Sequence, residues 1–191
     1  MSPRVTSPVL IGRADDLAAL DQALAAASAG SPSAMLIADE AGVGKSRLVS
    51  EFTERAVGAG GRVLTGRCLE LGTDGLPFAA FAAVLRELVR DLGVAGVLEL
   101  LPGPASRELG RLLPELGEAT RSGAGQGDPG EARARLFEQM LALVERLAER
   151  APLTLIIEDI HWADRSTRDL LSFLIANQRA LSGALIVATY R

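Results

Sequence analysis

Lysine is almost missing from this chain: of its 20 basic residues one is lysine, Lys45, and the other 19 are arginine. Cysteine, histidine, tryptophan and tyrosine occur once each, as Cys68, His161, Trp162 and Tyr190. A single cysteine rules out an internal disulfide and fits a reducing, cytoplasmic compartment. One histidine and one cysteine cannot build a His/Cys zinc cluster. The net charge of −4 excludes a wholesale basic surface, so no direct nucleic-acid binding is expected. No run approaches the roughly 18 apolar residues of a membrane helix, and residues 1–8 lack a signal-peptide core, so no membrane partner is expected. Aromatic residues make up only 4% of the sequence. Aliphatic side chains must therefore fill the core.

What is present is a length of 191 residues and 48% hydrophobic content, enough for one domain with a substantial core. Residues 1–8 are Ser/Pro-rich and read as loose. Leu17, Leu20 and Leu24 share a helical face over 15–27, and residues 34–38 are a short apolar run bounded by turn signals, which predicts a buried strand. Gly44 opens a helix reaching about Val57, and residues 62–65 predict a second strand. Helical spacing runs over 78–92 and again over 105–116. Residues 121–130 read as a flexible loop, and an amphipathic helix follows from about Glu131 to Arg150. Residues 153–157 predict a third strand, 166–180 a helix, and 184–189 a fourth strand. The alternation of strands and helices predicts an α/β fold with a parallel sheet.

Between the first strand and its helix stands Asp39-Glu40-Ala41-Gly42-Val43-Gly44-Lys45-Ser46. A strand, a glycine-rich loop and a helix are the context a phosphate-binding loop requires. Backbone N–H groups hold phosphate oxygens when the loop curls tightly, which glycines permit, and the helix N-terminus adds partial positive charge. Lys45 would reach the β- and γ-phosphates and Ser46 would ligate Mg²⁺. That the one lysine in an arginine-rich chain falls here weighs against the alternative, a glycine-softened helix start with no ligand. The full pattern has glycine six positions before the lysine, where this chain has Asp39. A carboxylate near phosphates is unfavourable unless it points away.

The third strand ends in Glu158-Asp159. An apolar strand closing on two acids can orient Mg²⁺ with the first and polarise an attacking water with the second. Alone, such a pair reads more simply as a solvated strand end; the upstream phosphate loop reverses that weighting. In His161-Trp162-Ala163-Asp164, the aspartate can N-cap the next helix, Ser166 with Asp169 offers a second cap, and a lone histidine is more often a structural hydrogen-bonder than a proton carrier.

These segments together resemble the ATPase domain of the STAND class within the AAA-like P-loop proteins, above all that of the large bacterial LuxR-type regulators. The residues that carry the resemblance are Leu10-Ile11-Gly12-Arg13, Ala41 to Ser46, Gly66-Arg67-Cys68, Glu158 to Asp164, and Ala188-Thr189-Tyr190-Arg191. The resemblance implies a three-layer P-loop NTPase binding ATP or ADP with Mg²⁺. It implies that Ile11, Gly12 and Arg13 lie near the adenine and that Ala41, Gly42, Val43, Gly44, Lys45, Ser46 and Arg47 cradle the phosphates. It implies Mg²⁺ at Ser46 and Glu158, with Glu158, Asp159 and the sensor arginine Arg191 as catalytic residues. A terminal arginine also has the plainer reading of a frayed chain end. The family's sheet has a fifth strand beside the phosphate-loop strand, followed by a helical lid. The expectation is therefore a C-terminally incomplete domain, without the family's sensor and helix-turn-helix regions. The strand at 34–38 would be an exposed edge open to self-association.

The function this implies is an ATP-dependent switch in a larger transcriptional regulator, with slow hydrolysis as the reset. A non-hydrolysing ADP/ATP scaffold is the alternative that Asp39 favours and Glu158-Asp159 disfavours. A P-loop small-molecule kinase would need an acceptor site and an arginine-rich lid, for which the 121–130 segment is a poor candidate.

Overall fold

The computed structural model describes residues 13–38, 44–70, 76–101, 106–118 and 128–191. Its elements in chain order are α1 (Ala14–Ser28), β1 (Ser33–Ala38), α2 (Lys45–Gly58), β2 (Arg62–Arg67), α3 (Ala79–Leu100), α4 (Ser106–Leu109), α5 (Pro114–Glu118), α6 (Pro129–Arg150), β3 (Leu153–Glu158), α7 (Arg165–Ala176) and β4 (Ala184–Tyr190). The four strands form one parallel sheet in the order β1-β4-β3-β2. β1 is thus an edge strand among the described residues, as the resemblance implies, and not the buried strand that its apolar run predicts: it pairs with β4 on one side alone, none of its residues is buried, and Leu36 is 59% exposed.

The central strands are apolar on both faces because both are covered. Leu153, Leu155 and Ile157 of β3, with Ala184, Ile186 and Ala188 of β4, point into a core shared with α3, α6 and α7. Ile156, Leu185 and Val187 point the other way, against Leu17 and Leu20 of α1 and Leu48, Val49 and Phe52 of α2. Alternate residues on a strand face opposite sides, so the sheet is the middle of three layers. Each fully buried aliphatic side chain contributes about 1.5–3 kcal/mol, against about 0–1 for an exposed ion pair. These two cores, rather than the surface arginine–carboxylate pairs, hold the fold.

The far edge is closed by α3. The β2 backbone N–H at Thr65 donates to the Glu87 carboxylate (2.9 Å), and Arg62 lies 3.5 Å from Asp91, so side chains of α3 take the place of a further strand. The helix approaches so closely that a Cβ on Gly66 would fall 2.3 Å from the carbonyl oxygen of Ala80.

Several boundaries differ from the sequence expectation. The helix predicted to stop at Leu92 does break there, since Gly93 leaves helical geometry (φ 71, ψ 166), and a second helical stretch that the sequence reading did not anticipate runs on to Leu100 across that kink. The helix predicted over 105–116 is instead α4 and α5 separated by a turn. Pro114 begins α5, and proline pushes the residue before it out of the helical region. The segment read as a loop to 130 gives up its last residues to α6. Asp128 N-caps that helix by accepting from the N–H groups of Gly130 and Glu131 (3.1 and 3.4 Å), and proline fits the first helical turn. Residues 121–127 lie outside the described residues. The helix predicted over 166–180 ends at Ala176, with a 3₁₀ turn at Gln178–Ala180.

Gly66→Ala forces α3 off the sheet, and overpacking of this kind costs about 1–3 kcal/mol. A Cβ at Gly58 meets nothing within 4 Å, so Gly58→Ala in α2 is expected to be neutral or to stabilise by about 0.4–1 kcal/mol. Urea unfolding of the two variants checks the contrast, and equal midpoints would remove the close-approach argument.

Candidate functional site

All four strands run the same way, so their carboxyl ends share one edge. At that edge the connections diverge: β1 leads into α2 on one face, while β3 leads into α7 on the other. Such a divergence opens the crevice in which α/β sheets bind ligands.

On the β1 side the described chain resumes at Gly44, whose left-handed backbone (φ 90) precedes α2. Lys45 and Ser46 are the first two residues of that helix. No side chain caps the α2 N-terminus and no acid lies in its first turn. Its partial positive charge is therefore suited to an anion. Arg47 is half-buried beside them. Ile11, Gly12, Asp39, Ala41, Gly42 and Val43, named from the sequence, lie outside the described residues. Arg13 precedes α1 and pairs with Asp16 at 2.9 Å.

Across the crevice, Glu158 is the last residue of β3 and is 7% exposed. Parallel register sets Arg67 of β2 beside it, and the guanidinium donates from Nε (3.0 Å) and Nη2 (2.8 Å), both to Oε2. Oε1 stays outside that pair. Asp159 then takes a left-handed backbone (φ 57, ψ 46), which costs a non-glycine residue about 1–2 kcal/mol. Its backbone N–H donates to Oγ1 of buried Thr189 on β4 (2.9 Å). This bond holds the reversal that turns the chain into a 3₁₀ turn, Ile160–Trp162. Strain kept at a strand end by a buried partner is a mark of a functional position.

His161 departs from the expected hydrogen-bonding role. Both ring nitrogens are buried and have no hydrogen-bond partner among the described residues, and the ring lies 5.1 Å from Trp162 and edge-on 5.9 Å from Tyr190. Asp164 does N-cap α7, accepting from the Thr167 N–H (2.9 Å) and hydroxyl (2.6 Å). It also accepts from the Phe78 N–H (3.2 Å), tying the start of α3 to the start of α7 behind the acids. Arg191 follows β4 directly and is exposed.

Sequence reasoning placed Glu158 and Asp159 at a site but left Arg67 and Thr189 among motif residues without a role. The available signal was positional: Gly66-Arg67-Cys68 closes the strand beside Glu158. Cys68 is buried, and its backbone N–H donates to the Glu158 carbonyl (2.9 Å). Burial first, then the negative charges of Asp164 and Asp159, push its thiol from 9.0 up to about 12. Among the described residues no group of three or more His, Cys, Asp or Glu side chains is placed to hold a metal by itself, and no helix is long and apolar enough to cross a membrane.

Comparison with known proteins agrees with this geometry. The family described as AAA ATPase domain matches residues 9–187. An uncharacterized protein of Rhizobium meliloti (strain 1021) is 28% identical over 184 residues, covering 85% of this chain and 16% of its own length. The chain thus spans about a sixth of that relative.

The Cys68 thiol should be inert in the folded protein at pH 8 and release one equivalent with an aromatic disulfide reagent only in denaturant. Because its folded pKa lies above the unfolded one, the stability it carries is full below about pH 9 and is lost as pH rises toward 12. Cys68→Ala should flatten that alkaline slope in melts against pH; rapid reaction of the native thiol would contradict the burial.

Proposed function

Because the chain belongs to the AAA ATPase domain family, we propose that it is an ATP-binding, slowly hydrolysing signalling switch within a larger transcriptional regulator. The observation that carries this reading is the crevice itself. An uncapped helix N-terminus bearing Lys45 and Ser46 stands on one side, and a buried Glu158 with a strained Asp159 stands on the other.

The residues fit Mg²⁺-ATP. The α2 N-terminus offers its partial positive charge to phosphate oxygens, and Lys45 adds the point charge that suits the β- and γ-phosphates. Ser46 and Oε1 of Glu158 supply hard oxygen donors, which Mg²⁺ prefers together with retained waters. Held by those two side chains, Mg²⁺ would supply charge neutralisation for the phosphates. Asp159 stands on the turn whose backbone Thr189 holds, and its carboxylate is assigned to polarising an attacking water. Arg191, at the end of β4, is at the edge from which a guanidinium can read the γ-phosphate. Ile11, Gly12 and Arg13 are assigned to the adenine, and Ala41, Gly42, Val43, Gly44 and Arg47 to the phosphate cradle.

The regulator role rests on the resemblance to LuxR-type proteins and on the much greater length of the matched relative. A second reading, a scaffold that holds nucleotide without turnover, is favoured by one observation. Arg67 already donates twice to Glu158, which competes with metal for that carboxylate.

Calorimetric titration of ATP and ADP with Mg²⁺ tests the site, and Lys45→Ala is expected to lose binding at least tenfold. Asp159→Asn should retain binding while hydrolysis falls about 10²–10⁴-fold, the usual contribution of a positioned acid or base. Undiminished turnover in Asp159→Asn would remove the hydrolytic assignment. Binding by the wild-type chain with no measurable turnover would select the scaffold.

A further inference from the structure

Next to the strand edge, on the side away from Lys45, lies a cavity of about 640 Å³. It falls in the range of small-molecule sites, about 300–1,000 Å³. Phe78, Ala82, Leu112 and Leu136, buried or half-buried, line its wall. Leu69 and Leu76 stand at its margin, 53% and 70% exposed. Four arginines from four separate parts of the fold converge on it: Arg67 at the end of β2, Arg86 on α3, Arg111 after α4, and Arg133 on α6. All four are exposed at the rim.

The carboxylates at that rim do not exhaust these donors. Arg67 is held by Glu158, Arg111 by Glu108 (2.9 Å) and Arg133 by Asp169, while Arg86 has no ion pair among the described residues. A guanidinium carries five N–H donors, and one carboxylate engages two at most in a fork. An apolar wall of this size does not bind ordered water well, and the rim selects negative charge. Guanidinium geometry suits carboxylate and phosphate alike.

We propose that this cavity binds an amphipathic anion, an apolar body ending in a carboxylate or phosphate, and that Arg67 couples its occupancy to the nucleotide crevice. Arg67 is the shared element. Arg67 lines the cavity and its guanidinium clasps Glu158, and its side chain is 54% exposed while that of Glu158 is 10%. The arginine is therefore the partner free to move. An anionic head group drawing Arg67 toward the cavity releases both Oε2 contacts and returns the carboxylate to the crevice. Coupling of this kind is reciprocal, so nucleotide with Mg²⁺ must in turn favour the anion. The coupling rests on the nucleotide reading above; the cavity does not.

Decyl phosphate, decanoate and neutral decanol, titrated calorimetrically into the 191-residue chain without nucleotide, test the cavity first. Both anions should bind at least tenfold more tightly than decanol, and the tighter of the two identifies the head group. Arg86→Gln, which breaks no ion pair among the described residues, should weaken the anions about tenfold and leave decanol unchanged. Ala83→Phe, which fills the space from α3, should weaken all three, with circular dichroism melts reporting that each variant is folded. Equal affinity for decanol and the anions, or anion affinity unchanged in both folded variants, would overturn the site. In a second titration, a saturating anion should tighten Mg²⁺-ATP about fivefold, and Arg67→Gln should abolish that change. Anion binding that leaves the affinity for Mg²⁺-ATP unaltered would overturn the coupling. Absence of any nucleotide binding would instead sink the switch reading, and the nucleotide-free titrations would still decide the cavity.

Discussion

Parallel pairing of β4 between β1 and β3 is the constraint on which the rest of this molecule depends. It sends every strand's carboxyl end to one edge, so groups 91 residues apart, Arg67 and Glu158, meet without any local sequence relation. It also demands that both sheet faces be covered, because a parallel sheet has no solvated side. The two cores answer that demand: α1 and α2 on one face, α3, α6 and α7 on the other. With the faces sealed, the open crevice at the strand ends is where a ligand can approach backbone and side chains together.

That edge carries a graded set of restraints rather than a cluster of free charges. Thr189 fixes the backbone of Asp159, Asp164 joins the starts of α3 and α7, and Arg67 holds the side chain of Glu158. The first two are part-buried bonds within the scaffold, and each aims an element. The third joins a nearly buried carboxylate to a half-exposed guanidinium. It is the one restraint of the three that can be exchanged without unfolding anything, which is why control of the crevice is best sought there.

Two departures from the sequence reading share a cause. The 105–116 segment has helical apolar spacing, yet Pro114 and the turn at Gly110–Leu113 divide it, and both pieces still bury leucines in the larger core. Periodicity registers which residues face inward; it does not register a break that keeps them there. His161 is a similar case. A lone histidine predicts a hydrogen bond, but the fold places its ring against Trp162 and Tyr190, so contact with neighbouring rings is what its environment offers.

By itself the sequence determined the layers and marked where a phosphate loop is to be sought. Apolar runs of strand length alternate with amphipathic helices, and a glycine-rich loop with the chain's single lysine follows the first run. Those are local signals, set by backbone sterics and by which side chains must leave water. The Glu158-Asp159 pair was legible for the same reason, as an apolar strand ending in charge. Only the tertiary structure decided that Arg67 would hold Glu158, that Thr189 would pin Asp159, and that four arginines would converge on one cavity. Strand register and the packing angle of α3 on β2 set those juxtapositions. Both arise from burial summed over the whole sheet, which no stretch of sequence contains.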